Sequence, residues 1–199
     1  MVAITKNFPV SAIQQAYNND IFCIGESRIQ ESENKLKGLL IRSKLEVHLI
    51  GHLQSNKVRK AIQLYDVIQT VDSIKLAKKI SSIAGETEKT KRIYLQVNSG
   101  KDPLKKGFSL NEIEKSALEI AQMKNLIISG IMMIPPFIEM DNKYRKIYSS
   151  TRKLRDKLLA LGISSCTDLS MGMSRDFQLA IEEGATHIRI GTALFGDRS

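Results

Sequence analysis

Short apolar, β-branched runs recur along the chain, and polar stretches of a different period lie between them. The runs fall at Val2–Thr5, Ile21–Ile24, Glu46–Ile50, Val67–Thr70, Ile93–Val97, Ile127–Met132, Cys166–Leu169 and His187–Ile190. Each has the length and β-branched content of a buried strand. Between them the spacing is helical. Ser11–Asn18 puts Ala12, Ile13 and Ala16 on one face, and Asp72 or Ser73 can cap a helix running through Ala84. Ser109-Leu-Asn-Glu112 reads as a capping box ahead of Ile113, Ala117 and Ile120. Asp141–Leu161 is a long helical stretch that ends at Gly162, and Asp176–Glu183 ends at Gly184. Eight strands alternating with helices predict a parallel α/β fold. The count of eight favours a closed (β/α)8 barrel over an open doubly wound sheet. No repeat, linker or low-complexity stretch interrupts residues 1–199, which read as a single domain.

In such a barrel the chemistry lies at the C-terminal ends of the strands, and phosphate sits in the loops after strands 7 and 8. Only five residues precede Lys6, and Ala193–Ser199 is too short to span the gap between strands 8 and 1. One wall of the ring is therefore expected to lack a covering helix. An apolar patch should be exposed there, leaving a monomer or weak dimer of reduced stability.

Composition narrows the class. The 199 residues are 42% hydrophobic and 26% charged, as in a soluble globular chain, with no apolar run of membrane-spanning length and no secretory layout at the start. Cys23 and Cys166 each sit in a strand-like run without metal-ligand spacing. They read as buried free thiols of a reducing compartment, the cytoplasm. The net charge of +9 raises nucleic acid or an acidic surface as partners. Yet Lys75, Lys78 and Lys79, and Arg152, Lys153, Arg155 and Lys157, fall at solvated-face helical spacing, and no aromatic-rich basic segment offers a stacking platform. A phosphorylated small ligand would also suit a positive field.

Lys6 falls at the C-terminal end of strand 1. It is either a solvated strand-end lysine or, on the active face, an amine able to form a Schiff base with a carbonyl. CTDLSMGMSR (166–175) passes from strand through Ser170, Gly172 and Ser174 into a helix, which suits either an anion or a plain capped loop. HIRIGTALFG (187–196) places Arg189, Gly191 and Thr192 at the end of strand 8. Two such loops beside a strand 1 lysine fit a phosphorylated aldehyde. VHLIGHLQSNKVRK (47–60) puts a polar loop at the same mouth; there His48 reads as a core histidine and His52 as a loop-shaping residue that can also act as acid or base. His187 starts strand 8, at the end away from the chemistry. Glu26 in GESRIQE either faces the mouth or caps a helix, and Met132 and Met133 in GIMMIPP read as core. Lys101, Lys105 and Lys106 read as solvated, and no metal site is visible.

The segments AITKNFP, GESRIQE, HLIGHLQSNKVRKA, LQVN, KKGF, GIMMIPP, LSMGMSRDFQLAIEEGA and RIGTALFG, in this order and over nearly the whole chain, resemble the pyridoxal phosphate homeostasis protein family. The resemblance implies a fold like the alanine racemase barrel domain and pyridoxal 5′-phosphate as cofactor. By position, Lys6 matches the Schiff-base lysine, and Ser170, Gly191 and Thr192 match the phosphate contacts. Arg189 matches the arginine facing the pyridine nitrogen, while Asn56 and Ser27 fall near the ring. Ser27 stands where the family usually has Asn, Lys106 where it has Ser, and Met133 where it has Thr. The family's helix before strand 1 is absent from the sequence. An arginine opposite the pyridine nitrogen keeps that nitrogen unprotonated and makes the ring a poorer electron sink. The function so implied is to hold and supply pyridoxal phosphate, with cofactor-requiring apoenzymes as further partners, rather than to catalyse. The alternatives are a low-activity amino-acid racemase and a basic RNA-binding barrel.

Overall fold

The computed structural model describes residues 1–100, 106–136 and 141–197. Lys101 and Lys105 lie outside the described residues. Eight strands form one parallel sheet: β1 (Val2–Ile4), β2 (Cys23–Glu26), β3 (Glu46–Leu49), β4 (Val67–Val71), β5 (Lys91–Val97), β6 (Leu126–Met133), β7 (Asp168–Ser170) and β8 (Arg189–Ile190). The ladder order runs β7-β6-β5-β4-β3-β2-β1-β8, all neighbours parallel. The ring closes where these ends meet. Ser170 bridges His187, Met171 N–H donates to His187 O at 3.1 Å, and Arg189 N–H donates to Gly172 O at 2.9 Å. The barrel expected from the eight runs is the fold found, with strand ends shifted by a residue or two.

The helices are α1 (Val10–Asn18), α2 (Ile29–Leu36), α3 (Val58–Leu64), α4 (Ile74–Glu86), α5 (Ile113–Ala121), α6 (Asp141–Ala160), α7 (Phe177–Glu182) and α8 (Thr192–Phe195). Ala12, Ile13 and Ala16 are the buried face of α1, as their spacing required. Ser73, not Asp72, caps α4, its hydroxyl accepting from Leu76 N–H at 3.3 Å. Half of the expected capping box exists before α5: Glu112 reaches back to the Ser109 N–H at 3.3 Å. Gly162 ends α6 with φ +92°, a conformation costly for other residues, and Ile163 N–H returns to Leu158 O.

One core cluster joins the inner faces of the helices to Ile24, Val47, Ile68, Ile93 and Ile131 of the strands. Because helices pack outside and side chains fill inside, the strands are buried on both faces, which is why they read as continuous apolar runs. The expected bare wall is not present. Val2, Ala3, Ile4, Arg189 and Ile190 of β1 and β8 are all 5% exposed or less. Beside their C-terminal ends Phe8 and Phe195 pack with ring centroids 5.3 Å apart. Next to these strands in the chain, Met1, Val10 and Leu194 remain 46%, 46% and 39% exposed, so apolar surface is left at this wall although the strands themselves are covered.

Candidate functional site

The C-terminal mouth of the barrel holds a cavity of about 430 Å³. Ile4, Ile50, Met132, Ile134, Pro135 and Pro136 supply its apolar side, and Lys6, Tyr144, Ser174, Asp176, Arg189 and Thr192 its polar groups. That mixture, apolar walls with a few placed polar groups, is the composition of a small-molecule site.

Lys6 follows β1 directly and is half-buried. The loop around it is tied down from α2. Lys35 Nζ donates to Thr5 O at 2.7 Å and to Glu26 Oε1 at 2.9 Å, and Glu31 accepts from the Asn7 N–H at 2.6 Å. Glu26 is fully buried and also accepts from the Thr5 hydroxyl at 2.6 Å. Of the two roles open to it, Glu26 takes neither: it anchors Lys35 beneath the loop. Burial pushes its carboxyl up, against the opposing pull of Thr5 and Lys35.

Arg189 forms the inner wall of the cavity and is 4% exposed. Nη1 donates to Ser170 Oγ and Nη2 to Met133 O, both at 2.8 Å. Among the described residues no carboxylate lies within 4 Å of it, and burial lowers its pKa to about 10, with Tyr148 and Asp176 acting in the opposite direction. A desolvated cation with neutral acceptors on one side suits an electron-rich atom on the other.

Gly191 and Thr192 line the same cavity, on the loop between β8 and α8. A Cβ on Gly191 would come within 3.3 Å of Ile4 Cβ, so the glycine lets β8 and β1 close up beside Lys6. Ser174 faces them, its hydroxyl accepting from the Ala193 N–H at 3.3 Å.

Three sequence expectations move. Ser170 is not at the cavity. As the last residue of β7 it points into the barrel, where its hydroxyl donates to Gln69 at 2.6 Å and accepts from Arg189. Ser174, which the sequence offered only as a helix cap, lines the cavity instead. Asn56 is exposed in a single 3-10 turn, Ser55–Lys57, just before α3. Ser27 lines a separate surface depression with His52 and Lys57. Its backbone is packed so close to Gly51 that a Cβ there would fall 2.1 Å from Ser27 O. Tyr144, Met173 and Asp176 were missed; their place in the cavity depends on α6 and the β7–α7 loop folding over the mouth, which periodicity does not reveal.

The histidines divide as expected, with one addition. His48 is buried in the barrel; His52 sits in a smaller cavity at the mouth, 2.8 Å from Lys106 Nζ and 3.4 Å from Asp72. His187 lies at the opposite end of the barrel, 6.0 Å ring to ring from His48. Near it, side-chain donors of Cys23, Glu46 and His48 fall within 4.8 Å of one another, a grouping their sequence spacing concealed. Glu46 there is already engaged by His48 and Arg92, with which a metal ion would have to compete. The two cysteines are unbridged, Cys166 buried and Cys23 half-buried; burial raises each thiol to about 12.

A parallel barrel with a lysine just past its first strand and a glycine-threonine loop after its last defines a class. The family model described as "Alanine racemase, N-terminal domain" matches residues 3–199. The chain is 37% identical to the pyridoxal phosphate homeostasis protein of Synechocystis sp., covering all of this chain and 91% of the relative. It is 35% identical to the protein of that name in Aquifex aeolicus, covering 86% of it. The chain thus belongs to the pyridoxal phosphate homeostasis protein family. PipY of Synechococcus elongatus, solved with pyridoxal phosphate bound, superposes with a TM-score of 0.91 at 36% identity, over 98% of this chain and 92% of PipY. Alanine racemase of Clostridium difficile shares the fold at 16% identity and a TM-score of 0.86, over 52% of its length.

Proposed function

We propose that this protein binds pyridoxal 5′-phosphate at the barrel mouth and acts in its intracellular homeostasis, holding and releasing the cofactor rather than using it for turnover. The observation that carries the reading is one cavity lined by Lys6, Arg189, Gly191, Thr192 and Ser174, in a chain of the family to which PLP-bound PipY is similar.

The residues fit the cofactor. A half-buried amine on a pinned loop can hold an aldehyde carbon covalently. Ser174, Gly191 and Thr192 offer hydroxyl and backbone donors to a phosphate, and the apolar side accepts a flat ring. When bound, pyridoxal phosphate supplies an electron sink for carbanions. Arg189 places a fixed positive charge against that use, because it opposes protonation of the ring nitrogen. Asp176, the carboxylate in the lining, is 5% exposed, and one of its oxygens accepts from Met173 N–H at 2.6 Å.

Delivery to apoenzymes and residence in the cytoplasm belong to the same proposal; the unbridged thiols support a reducing compartment. Among the described residues no helix is long and apolar enough to cross a membrane. The basic surface favours no nucleic-acid partner. Much of it is paired with neighbouring acids, as in Lys60–Glu33, Lys78–Glu119 and Lys157–Glu114.

Borohydride reduction of the protein incubated with pyridoxal phosphate, followed by peptide mass mapping, tests the site. A pyridoxyl adduct on the peptide containing Lys6 is expected. A folded protein without it would end the reading. Amino acids added to the loaded protein should racemise no faster than with free cofactor.

A further inference from the structure

A polar chain crosses the barrel from the cavity wall to the opposite end. Arg189 Nη1 donates to Ser170 Oγ at 2.8 Å, and Ser170 Oγ donates to Gln69 Oε1 at 2.6 Å. Gln69 Nε2 then meets His48 Nδ1 at 2.5 Å, and His48 Nε2 meets Glu46 Oε1 at 2.6 Å. Ser170, Gln69 and His48 are fully buried, so water does not compete for these bonds. Glu46 reaches solvent.

Chemistry at the two ends fixes the direction. A guanidinium has donors and no acceptor. Ser170 therefore accepts from Arg189, and with the Gln69 carbonyl oxygen turned toward it, its own hydrogen goes to that oxygen. That leaves the Gln69 NH2 for His48, whose Nδ1 must be the unprotonated nitrogen. The His48 proton then lies on Nε2, aimed at Glu46. Hydrogen bonds from His48 first, and from Arg92, hold the Glu46 carboxyl down to about 2, so the acceptor at that end is a stable anion. With a fixed donor at one end and a fixed anion at the other, no member can turn round alone.

We propose that Gln69 and His48 are positioning residues for Arg189, fixing through Ser170 how the guanidinium faces the bound cofactor and coupling the far end of the barrel to the cavity. This rests on the cofactor reading above. Among the described residues the guanidinium's acceptors are neutral, Ser170 Oγ and Met133 O, and its orientation depends on them. A serine hydroxyl rotates freely unless its hydrogen is engaged, and Gln69 engages it. Without Gln69 the guanidinium is free to turn toward Asp176, whose charge already acts on it.

The test uses the full chain and two substitutions. Gln69→Met keeps length and removes both hydrogen bonds; Gln69→Glu keeps an acceptor for Ser170. In the unloaded protein, ¹⁵N NMR of labelled histidines should show His48 as the Nε2–H tautomer, becoming a mixture in Gln69→Met. In the loaded protein, Gln69→Met should shift the absorption maximum of the bound cofactor and weaken binding about tenfold, the loss of one charge-assisted hydrogen bond. Gln69→Glu should restore the maximum. If Gln69→Met does not fold, His48→Asn is read in the same way. A folded variant with unchanged maximum and affinity overturns the proposal. Absence of a Lys6 adduct in the unsubstituted protein overturns the cofactor reading instead, while the His48 tautomer still judges the chain.

Discussion

The two ends of the barrel use similar side chains to opposite ends. At the N-terminal end, Glu46, His48, Arg92, Tyr94, Asp168 and His187 crowd together and satisfy one another; Tyr94 donates to Asp168 at 2.9 Å, and Arg92 holds Glu46. At the C-terminal mouth, Lys6, Arg189, Ser174 and Thr192 border a cavity. The richer cluster of ionisable groups is not the one that borders the cavity. What marks a site is polar groups arranged around space, and polar groups arranged around each other mark a support.

Five substitutions press on that distinction. The largest effect belongs to the mouth: Lys6→Ala should abolish the reducible adduct while leaving the thermal midpoint nearly unchanged, and a reducible adduct elsewhere in the variant would remove Lys6 from its role. Next is Lys91, 7% exposed at the start of β5, which donates to Tyr65 O at 2.5 Å and has no paired acid among the described residues. Burial lowers its pKa to about 8 from 10.5. Below pH 8 both folded and unfolded states carry the proton and the burial cost is complete. Between about 8 and 10.5 the unfolded state binds more protons, so stability should rise with pH. Lys91→Met should remove that rise and add roughly 2–3 kcal/mol near pH 7, read by urea denaturation at two pH values.

Ser174→Ala and Thr192→Ala come third. Each should weaken cofactor binding about tenfold, roughly 1.4 kcal/mol, with unfolding unaffected. Tyr94→Phe is the smallest and the mirror image: about 1 kcal/mol lost from stability, cofactor affinity intact. A variant of the mouth that mainly unfolds the protein, or of Tyr94 that mainly weakens binding, would break the division.

The eight strands were legible because burial on both faces leaves mostly apolar residues in runs such as Val2–Ile4. Lys6, Arg189, Gly191 and Thr192 were legible because strand ends map to one face of a barrel. Ser170 and Ser174 could not be told apart by sequence: one ends a strand and points inward, the other lies four residues on, where the loop returns to the cavity. Ser27 and Asn56 lie outside the cavity lining because loop direction is set by contacts such as Ser27 against Gly51. The internal chain had one overlooked signal. Gln69 is an amide in a fully buried strand, and a buried amide needs partners.

The ties between α2 and the β1 loop carry a last consequence. Thr5 and Asn7, on either side of Lys6, are both held from α2, by Lys35 and Glu31. The lysine is thus a fixed peg rather than a swinging arm, and the entropy of ordering its backbone is spent during folding, before any ligand arrives. On the proposed reading, a cofactor held on such a peg would not be ejected by relaxing the loop. Departure would instead be governed by competition at the amine, so the rate of unloading should follow the concentration and basicity of incoming amines.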